Sequence, residues 1–465
     1  MQRRYTGKPA PAKKTYHPGL SARRIAYDIL RDVTLSGAYA SLSLNKRLSA
    51  SRLTGADRRL ASALVYDTLE NLIYIDFMLD HFLDKKDTDP ALRDLLRLGA
   101  CQILLYDRIP DSAAVNETVN LCAPLGLEGF KPAVNGVLRN LIRGRTDVIL
   151  PDAQKEPASF LSVSYSLPLW LVSRLIDDYG VDEAHAIAGH RDRMGGATVR
   201  PNMLRLNDTQ FESLLSRKSW GWRKLATPHA YHVAAETGLG TDRDHVNGLF
   251  SIQGEGSMLA AMAVGARNGW QILDCCSAPG GKAAYLSESM GGSGRVHAWD
   301  IHPHRVDLIL AMQKRLRLDN IRPMLRDALV YRQDLDGVFD AVLIDAPCSG
   351  FGVMLSKPDV KYRHGPDDME ALVQTQAKLL DVCSRYVKRG GVLVYATCTF
   401  LKDENERQIN AFLESHPRFS MDPLPDSIPA AFRERAGTHG LQLFAHRDGV
   451  EGFFIARMKK TNASR

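Results

Sequence analysis

The chain has 465 residues, of which 45% are hydrophobic and 24% charged, and its formal net charge is +7. That length predicts two or three domains, and the composition is that of a soluble globular protein. Seven cysteines, with no C-x-x-C pair, argue against a disulfide framework and place the protein in the reducing cytoplasm. No apolar run approaches the roughly 20 residues needed to span a bilayer, and no apolar signal region follows the basic N-terminus. The histidines and cysteines lack zinc-ligand spacing, so no metal is expected.

Residues 1–24 carry Arg3, Arg4, Lys8, Lys13, Lys14, Arg23 and Arg24 and no acid, which accounts for the whole charge excess. A basic arm over 1–18 suits a polyanion such as nucleic acid, or is a solvated tail. Residues 19–147 read as an all-α domain. Ile25, Ile29, Leu30 and Val33 form one apolar stripe, and Val65, Leu69, Leu72 and Ile73 form another. Ala91–Asp107 and Ala133–Arg145 are further helices, the last closed by Arg139, Arg143 and Arg145, which suit a helix C-terminus or a phosphate. Residues 148–250 read as a small α/β region. A helix enters near Ser166–Leu171, and a strand runs over Val199–Leu206 with Pro201 at an edge or bulge.

From 251 to 465, strands alternate with helices. Strands are expected at Gln271–Cys275, Arg295–Asp300, Phe339–Asp345 and Gly391–Thr397. Helices are expected at Ala283–Met290, Val306–Leu318 and Met369–Val387. Alternating βαβ units predict an α/β doubly wound, Rossmann-like parallel sheet.

Leu273-Asp-Cys-Cys-Ser-Ala-Pro-Gly-Gly-Lys282 is a strand that runs into a glycine turn and a helix. Glycines there let a ligand approach the backbone. Neither G-x-x-x-x-G-K-[ST] nor G-x-G-x-x-G is present, which leaves an adenosyl ligand without a pyrophosphate, such as S-adenosylmethionine. Asp300, 20 residues after Gly280, suits ribose hydroxyls, and Asp327 suits the adenine amino group. Either is equally a helix cap or turn residue. With a further strand expected before Asp327, Cys348 follows the fourth strand of this region and Cys398 the fifth. Ligands of doubly wound sheets sit outside the carboxyl ends of the strands, so both thiols should face one pocket. Each is a packing thiol, a metal ligand, half of a disulfide or a nucleophile. Cys101, Cys122, Cys275, Cys276 and Cys383 read as packing thiols.

Asp274–Lys282, Asp345-Ala-Pro-Cys-Ser-Gly350 and Ala396-Thr-Cys-Thr399 together resemble the RNA (cytosine-5) methyltransferases. Arg305, Lys357-Pro-Asp-Val-Lys361 and Asp448-Gly-Val-Glu-Gly-Phe-Phe454 fit the same pattern. Ser277 departs from it, where the family often has Ala, as does Phe351-Gly-Val-Met. Arg108-Ile-Pro-Asp, Ala114-Val-Asn-Glu117 and Val134–Asn140 resemble the RNA-binding NusB family.

The resemblance implies methylation of carbon 5 of a cytosine, with Cys398 as nucleophile and Cys348 assisting release. It implies cofactor contacts from Cys276, Ser277, Ala278, Pro279, Gly280, Gly281, Lys282, Asp300, Arg305, Asp327 and Asp345. Asp345 should also face the base edge, and Lys282 should orient Asp345 or the base, unless it is a solvated loop lysine. The NusB-like part favours 16S ribosomal RNA as partner. The target base of a structured RNA loop must leave its stack to reach such a pocket, and the enzyme is expected to act as a monomer. The same chemistry on transfer RNA is the near alternative, and a non-catalytic RNA-binding assembly factor the distant one. Two cysteines fit the RNA enzymes rather than those acting on DNA.

Overall fold

The computed structural model describes residues 18–83, 88–191, 195–234 and 238–461. Residues 1–17 of the basic arm, Arg3, Arg4, Lys8, Lys13 and Lys14 among them, lie outside the described residues. Arg23 and Arg24 do not. Arg23 is buried and its Nε donates to Gln102 Oε1 at 2.7 Å, so it belongs to a helical core and not to a free arm.

A first compact unit reaches to Leu169 and takes in Lys357–Asp359. Its helices are Pro18–Ser36, Ala40–Ala50, Gly55–Glu70, Leu72–Asp80, Pro90–Leu105, Asp111–Leu121, Lys131–Gly144 and Pro157–Tyr165. The helix from Pro90 shows why they form. Asp89 caps it by accepting from Ala91 N at 2.8 Å, Pro90 needs no donor at the first position, and Leu92, Leu95, Leu96 and Leu98 are buried. The expected stripe from Val65 to Ile73 is interrupted at Asn71, which separates two helices. The Asn71 side chain donates to Asp67 O at 2.9 Å, a local bond that competes with the helical ladder.

The second unit begins at Trp170 and continues from Val360. It opens with an antiparallel sheet of β1 (Ala197–Pro201), β2 (Gly221–Lys224), β3 (Tyr231–Ala234) and β4 (Phe250–Ile252), in the order β2-β3-β1-β4. Pro201 is not at an edge or bulge, because β1 is an inner strand. It is the last residue of β1, past the β3 ladder, which ends at Val199, so its missing N–H interrupts no pairing on that side. Asn202–Leu206 turns away instead of extending the strand.

The larger sheet contains β5 (Gln271–Asp274), β6 (Arg295–Asp300), β7 (Ile321–Leu325), β8 (Phe339–Asp345), β9 (Val387–Thr397), β10 (Phe419–Met421), β11 (Leu441–Leu443) and β12 (Phe453–Lys460). Its order is β10-β12-β9-β8-β5-β6-β7, with β11 on β12. β5 to β9 are parallel, and β12 is antiparallel to β9. Chain order reverses at β5, and the crevice between β5 and β8 is where a doubly wound sheet takes its ligand.

Side chains alternate across this sheet. Ile272, Ala341, Leu343, Val392 and Val394 join one buried cluster, with Ala283 and Leu286 from the helix Gly281–Ser289. Leu273, Val342, Ile344, Leu393 and Tyr395 join the other, with Leu379, Leu380 and Phe412. Both faces are thus covered, which explains the near-continuous apolar runs of the parallel strands. Among the described residues no helix is long and apolar enough to cross a membrane.

An ion pair locks the small sheet to the helix that carries the glycine turn. Arg200 on β1 is buried, and its NH1 meets Glu288 Oε2 at 2.6 Å while its Nε meets Gln253 Oε1 at 2.7 Å. Removing one partner strands a buried charge. Arg200→Met is therefore expected to cost about 3–5 kcal/mol in urea unfolding of the second unit, and the double variant Arg200→Met/Glu288→Leu less. A single variant as stable as the parent would show that water already solvates Glu288.

Candidate functional site

β5 ends at Asp274, and its chain crosses Cys275–Gly280 before the helix Gly281–Ser289 begins. Gly280 turns this corner at φ +104°, and a Cβ there would lie 2.4 Å from Met312 Cε. The backbone shape requires glycine, whereas the Met312 methyl, at the end of a flexible side chain, could give way. Ser277 N donates to Trp299 O on β6 at 2.8 Å, and Cys275 N to Leu343 O on β8 at 2.9 Å, so the turn is held from both sides. The Ala278–Pro279 peptide is cis.

Ser277 Oγ donates to Asp274 Oδ2 at 2.8 Å, a bond that alanine could not make. Asp274 is fully buried and its Oδ1 has no partner. Burial, opposed by the Ser277 bond and reinforced by the Asp345 and Asp300 charges, pushes its carboxyl up to about 7.

Asp300 ends β6 almost buried. Its Oδ1 accepts from His302 N at 3.1 Å and its Oδ2 lies 3.6 Å from Arg305 NH1. Asp327 follows β7, and its Oδ1 accepts from Leu329 N at 2.9 Å, which makes it a turn residue whatever else it binds. Asp345 ends β8, and Lys282 Nζ meets its Oδ2 at 2.6 Å. The Lys282 side chain is 11% exposed, so it is not a solvated loop lysine. Burial opposes its charge, but Asp345 outweighs burial through charge and hydrogen bond and holds the ammonium above its ordinary range. Its Nζ also sits 5.3 Å from the Phe453 ring centroid.

The edge thus presents Asp274, Asp300, Asp327 and Asp345 around a glycine turn. S-adenosylmethionine offers an ammonium group, a ribose diol and an adenine amino group, all donors. The orphaned Asp274 Oδ1 and the close approach allowed at Gly280 and Gly281 fit such a ligand. Cys276 borders the turn, partly exposed, and burial pushes its thiol well up.

Two loops bring the remaining sequence motifs to the same edge. Cys348 lies after β8 and Cys398 directly after β9, with their sulfurs 3.4 Å apart. Cys398 N donates to Cys348 Sγ at 3.3 Å, and Gly352 N to Cys398 O at 3.0 Å. A Cβ on Gly352 would lie 1.9 Å from Gly452 O, so the backbone around Gly452 packs directly under the thiol loops. The Cys348 thiol is held well above its usual range by its hydrogen bond to Cys398, then by burial, then by the charges of Cys398 and Glu404. Cys101, Cys122, Cys275 and Cys383 are buried away from this pair.

Sequence patterns missed the residues beneath the thiols. Gln376, Glu404 and Asn405 are fully buried polar side chains. Glu404 and Asn405 sit in Asp403-Glu-Asn-Glu406, an acidic stretch that reads as a helix start, and no pattern in it signals inward-facing groups.

Asp274 has a folded-state pKa above the unfolded carboxyl value of about 4, so its protonation stabilises the fold at low pH and that contribution disappears as pH rises to about 7. Asp274→Asn is expected to flatten the fall in urea midpoint between about pH 4 and pH 7. A slope as steep as the parent's would assign it to other groups.

A model of the 16S rRNA methyltransferase RsmB/F family matches residues 261–459, and one of the NusB family matches residues 20–143. A probable ribosomal RNA small subunit methyltransferase B of Bacillus subtilis is 36% identical over 445 residues, covering 95% of this chain and 99% of that one. Ribosomal RNA small subunit methyltransferase B of Shewanella oneidensis is 30% identical, covering 95% and 99%. Among solved structures, the crystal structure of PH0851 superposes with a TM-score of 0.81 at 24% identity, covering 96% of this chain and 100% of that one, a likeness of fold. The chain belongs to the 16S rRNA methyltransferase RsmB/F family, with a NusB-family domain preceding its methyltransferase domain.

Proposed function

We propose that this protein methylates carbon 5 of a cytosine in 16S ribosomal RNA, with Cys398 as the nucleophile and Cys348 as the residue that assists release. The observation that carries the proposal is the pair of thiols 3.4 Å apart at the carboxyl edge of the sheet, beside the end of β8 where Asp345 meets Lys282 from the helix Gly281–Ser289. A pyrimidine C5 is a poor nucleophile. Addition of a thiolate to C6 makes C5 enamine-like. S-adenosylmethionine supplies an electrophilic methyl group. Loss of the C5 proton to solvent and cleavage of the C6–S bond then return the thiolate.

Each residue has a role in this sequence. Lys282 holds its cation at the same carboxyl edge as Cys398, and a cation there favours the attacking thiolate. Cys348, kept as a thiol, donates toward the departing Cys398 sulfur. Asp345 accepts from the cytosine N4 amino group and would repel the uracil carbonyl at that position. Cys276, Ser277, Ala278, Pro279, Gly280 and Gly281 line the cofactor through the backbone. Asp300 takes the ribose with Arg305 steadying it, and Asp327 takes the adenine amino group. Both thiols and all of these carboxylates lie on one chain, so the chemistry needs no second copy. The target base leaves its stack, at a cost of a few kcal/mol that is least for an unpaired nucleotide. Residues 19–147 and 148–250 serve as the parts that contact RNA phosphates and shape.

With labelled S-adenosylmethionine and unmodified 16S ribosomal RNA, Cys398→Ser is expected to lose methyl transfer by at least roughly 10³-fold. Cys348→Ala should instead accumulate a denaturant-resistant protein–RNA adduct; full activity of the first variant, or no adduct with the second, overturns the assignment. Gly280→Ala forces a left-handed residue that costs about 1–3 kcal/mol, and should weaken cofactor binding in calorimetry by about tenfold or more. Unchanged affinity would remove the turn from the cofactor site.

A further inference from the structure

Two chemically equal thiols lie side by side at this site, and the residues around them are not symmetric. Beneath Cys348 sits Glu404, fully buried. Its Oε1 accepts from Ser349 Oγ at 2.6 Å, and its Oε2 accepts from Ser349 N and from Gln376 Nε2, each at 2.9 Å. Among the described residues these donors meet its carboxylate and no cation does. A buried carboxylate without a cation is expensive to keep, and full hydrogen bonding is what makes it tolerable.

The bonds all lead to the residues that flank Cys348. Ser349 follows it directly. Gln376 Nε2 also donates to Pro347 O, the residue before it, at 3.0 Å. The same carboxylate reaches the other thiol loop. Ser349 has one hydroxyl proton and gives it to Glu404, so at 2.9 Å it must accept from Thr399 Oγ1, next to Cys398. Tyr395 on β9 donates to Glu404 O at 2.7 Å and anchors the group to the strand that carries Cys398.

We infer that Glu404 is a positioning residue for the release step: through Ser349, Gln376 and Thr399 it holds the Cys348 thiol against the Cys398 sulfur. The inference rests on the proposed roles of the two thiols. A negative charge behind Cys348 also favours its protonated, donating form, in keeping with the thiol's raised range. Attack by Cys398 needs only that its own sulfur reach C6, whereas release needs the second thiol in place. Glu404 should therefore govern how quickly the adduct resolves, and affect its formation little.

Glu404→Gln keeps the size but sets a second donor against Ser349 and Gln376. The test is single-turnover kinetics of the full chain with unmodified 16S ribosomal RNA and S-adenosylmethionine, with adduct followed on denaturing gels. Adduct formation within about threefold of the parent, with resolution slowed by roughly tenfold or more, supports the inference. Equal slowing of both steps, or no change in either, overturns it, because a merely structural role moves them together. Ser349→Ala keeps the N–H and removes only the hydroxyl relay. It should show the same selective slowing to a smaller degree, and keeps the test decisive if Glu404→Gln does not fold. Cys348→Ala run alongside separates the two failures. Absence of adduct there sinks the release role itself, whereas adduct there with unselective Glu404→Gln and Ser349→Ala sinks only the inference about Glu404.

Discussion

The parallel pairing of β8 with β9 is the constraint on which the site depends. Its register sets Asp345 opposite Ala396, so both strands end level at the carboxyl edge. Three residues past Asp345 is Cys348, and two past Ala396 is Cys398, so sulfurs 50 residues apart in sequence meet at 3.4 Å. A slip of one residue would turn every alternating side chain to the opposite face. Asp345 would then no longer meet Lys282, and Tyr395 would lose its anchor on Glu404. The large clusters on both faces of the sheet therefore do more than stabilise it, because they fix this register.

Burial at that edge gives the polar groups their character. Asp274, Glu404 and Lys282 all sit in surroundings where an unpaired charge is costly. Each meets that cost differently. Asp274 does so by a raised carboxyl range and a single bond from Ser277, Lys282 by its ion pair with Asp345, and Glu404 by hydrogen bonds alone. The glycines serve the same enclosure. Gly352 and Gly452 let two backbone segments come closer than any side chain permits, which closes the floor beneath the thiols.

The parallel strands were legible in the sequence because burial on both faces leaves continuous apolar runs, and their carboxyl ends could be placed to within a residue, but β9 begins at Val387 rather than Gly391 and β10, β11 and β12 were not read at all. Asp345 and Lys282 were legible as site residues from their motifs, but their contact was not, since it depends on how the helix after β5 lies against β8. Local side-chain chemistry defeated pattern reading in two places: Asn71 breaks an apolar stripe that periodicity carries through, and Pro201 ends an inner strand where an edge was expected. Glu404, Gln376 and Asn405 were illegible for a deeper reason. A buried polar residue has no periodic signature, and its partners come from four different segments of the chain.

Cys348 and Cys398 pose a problem that packing alone does not solve. Two thiols 3.4 Å apart do not readily ionise together, since each thiolate opposes the other. Some asymmetry must decide which one carries the charge. Lys282, paired with Asp345, supplies a cation at this edge of the sheet, and Glu404, bonded to Ser349, supplies an anion behind Cys348. Under the proposed chemistry this opposition does two jobs with one pair of charges: it makes Cys398 the attacking thiolate and leaves Cys348 with the proton that the departing sulfur needs. The hydrogen bond between the two sulfurs is then the resting form of the contact used in release.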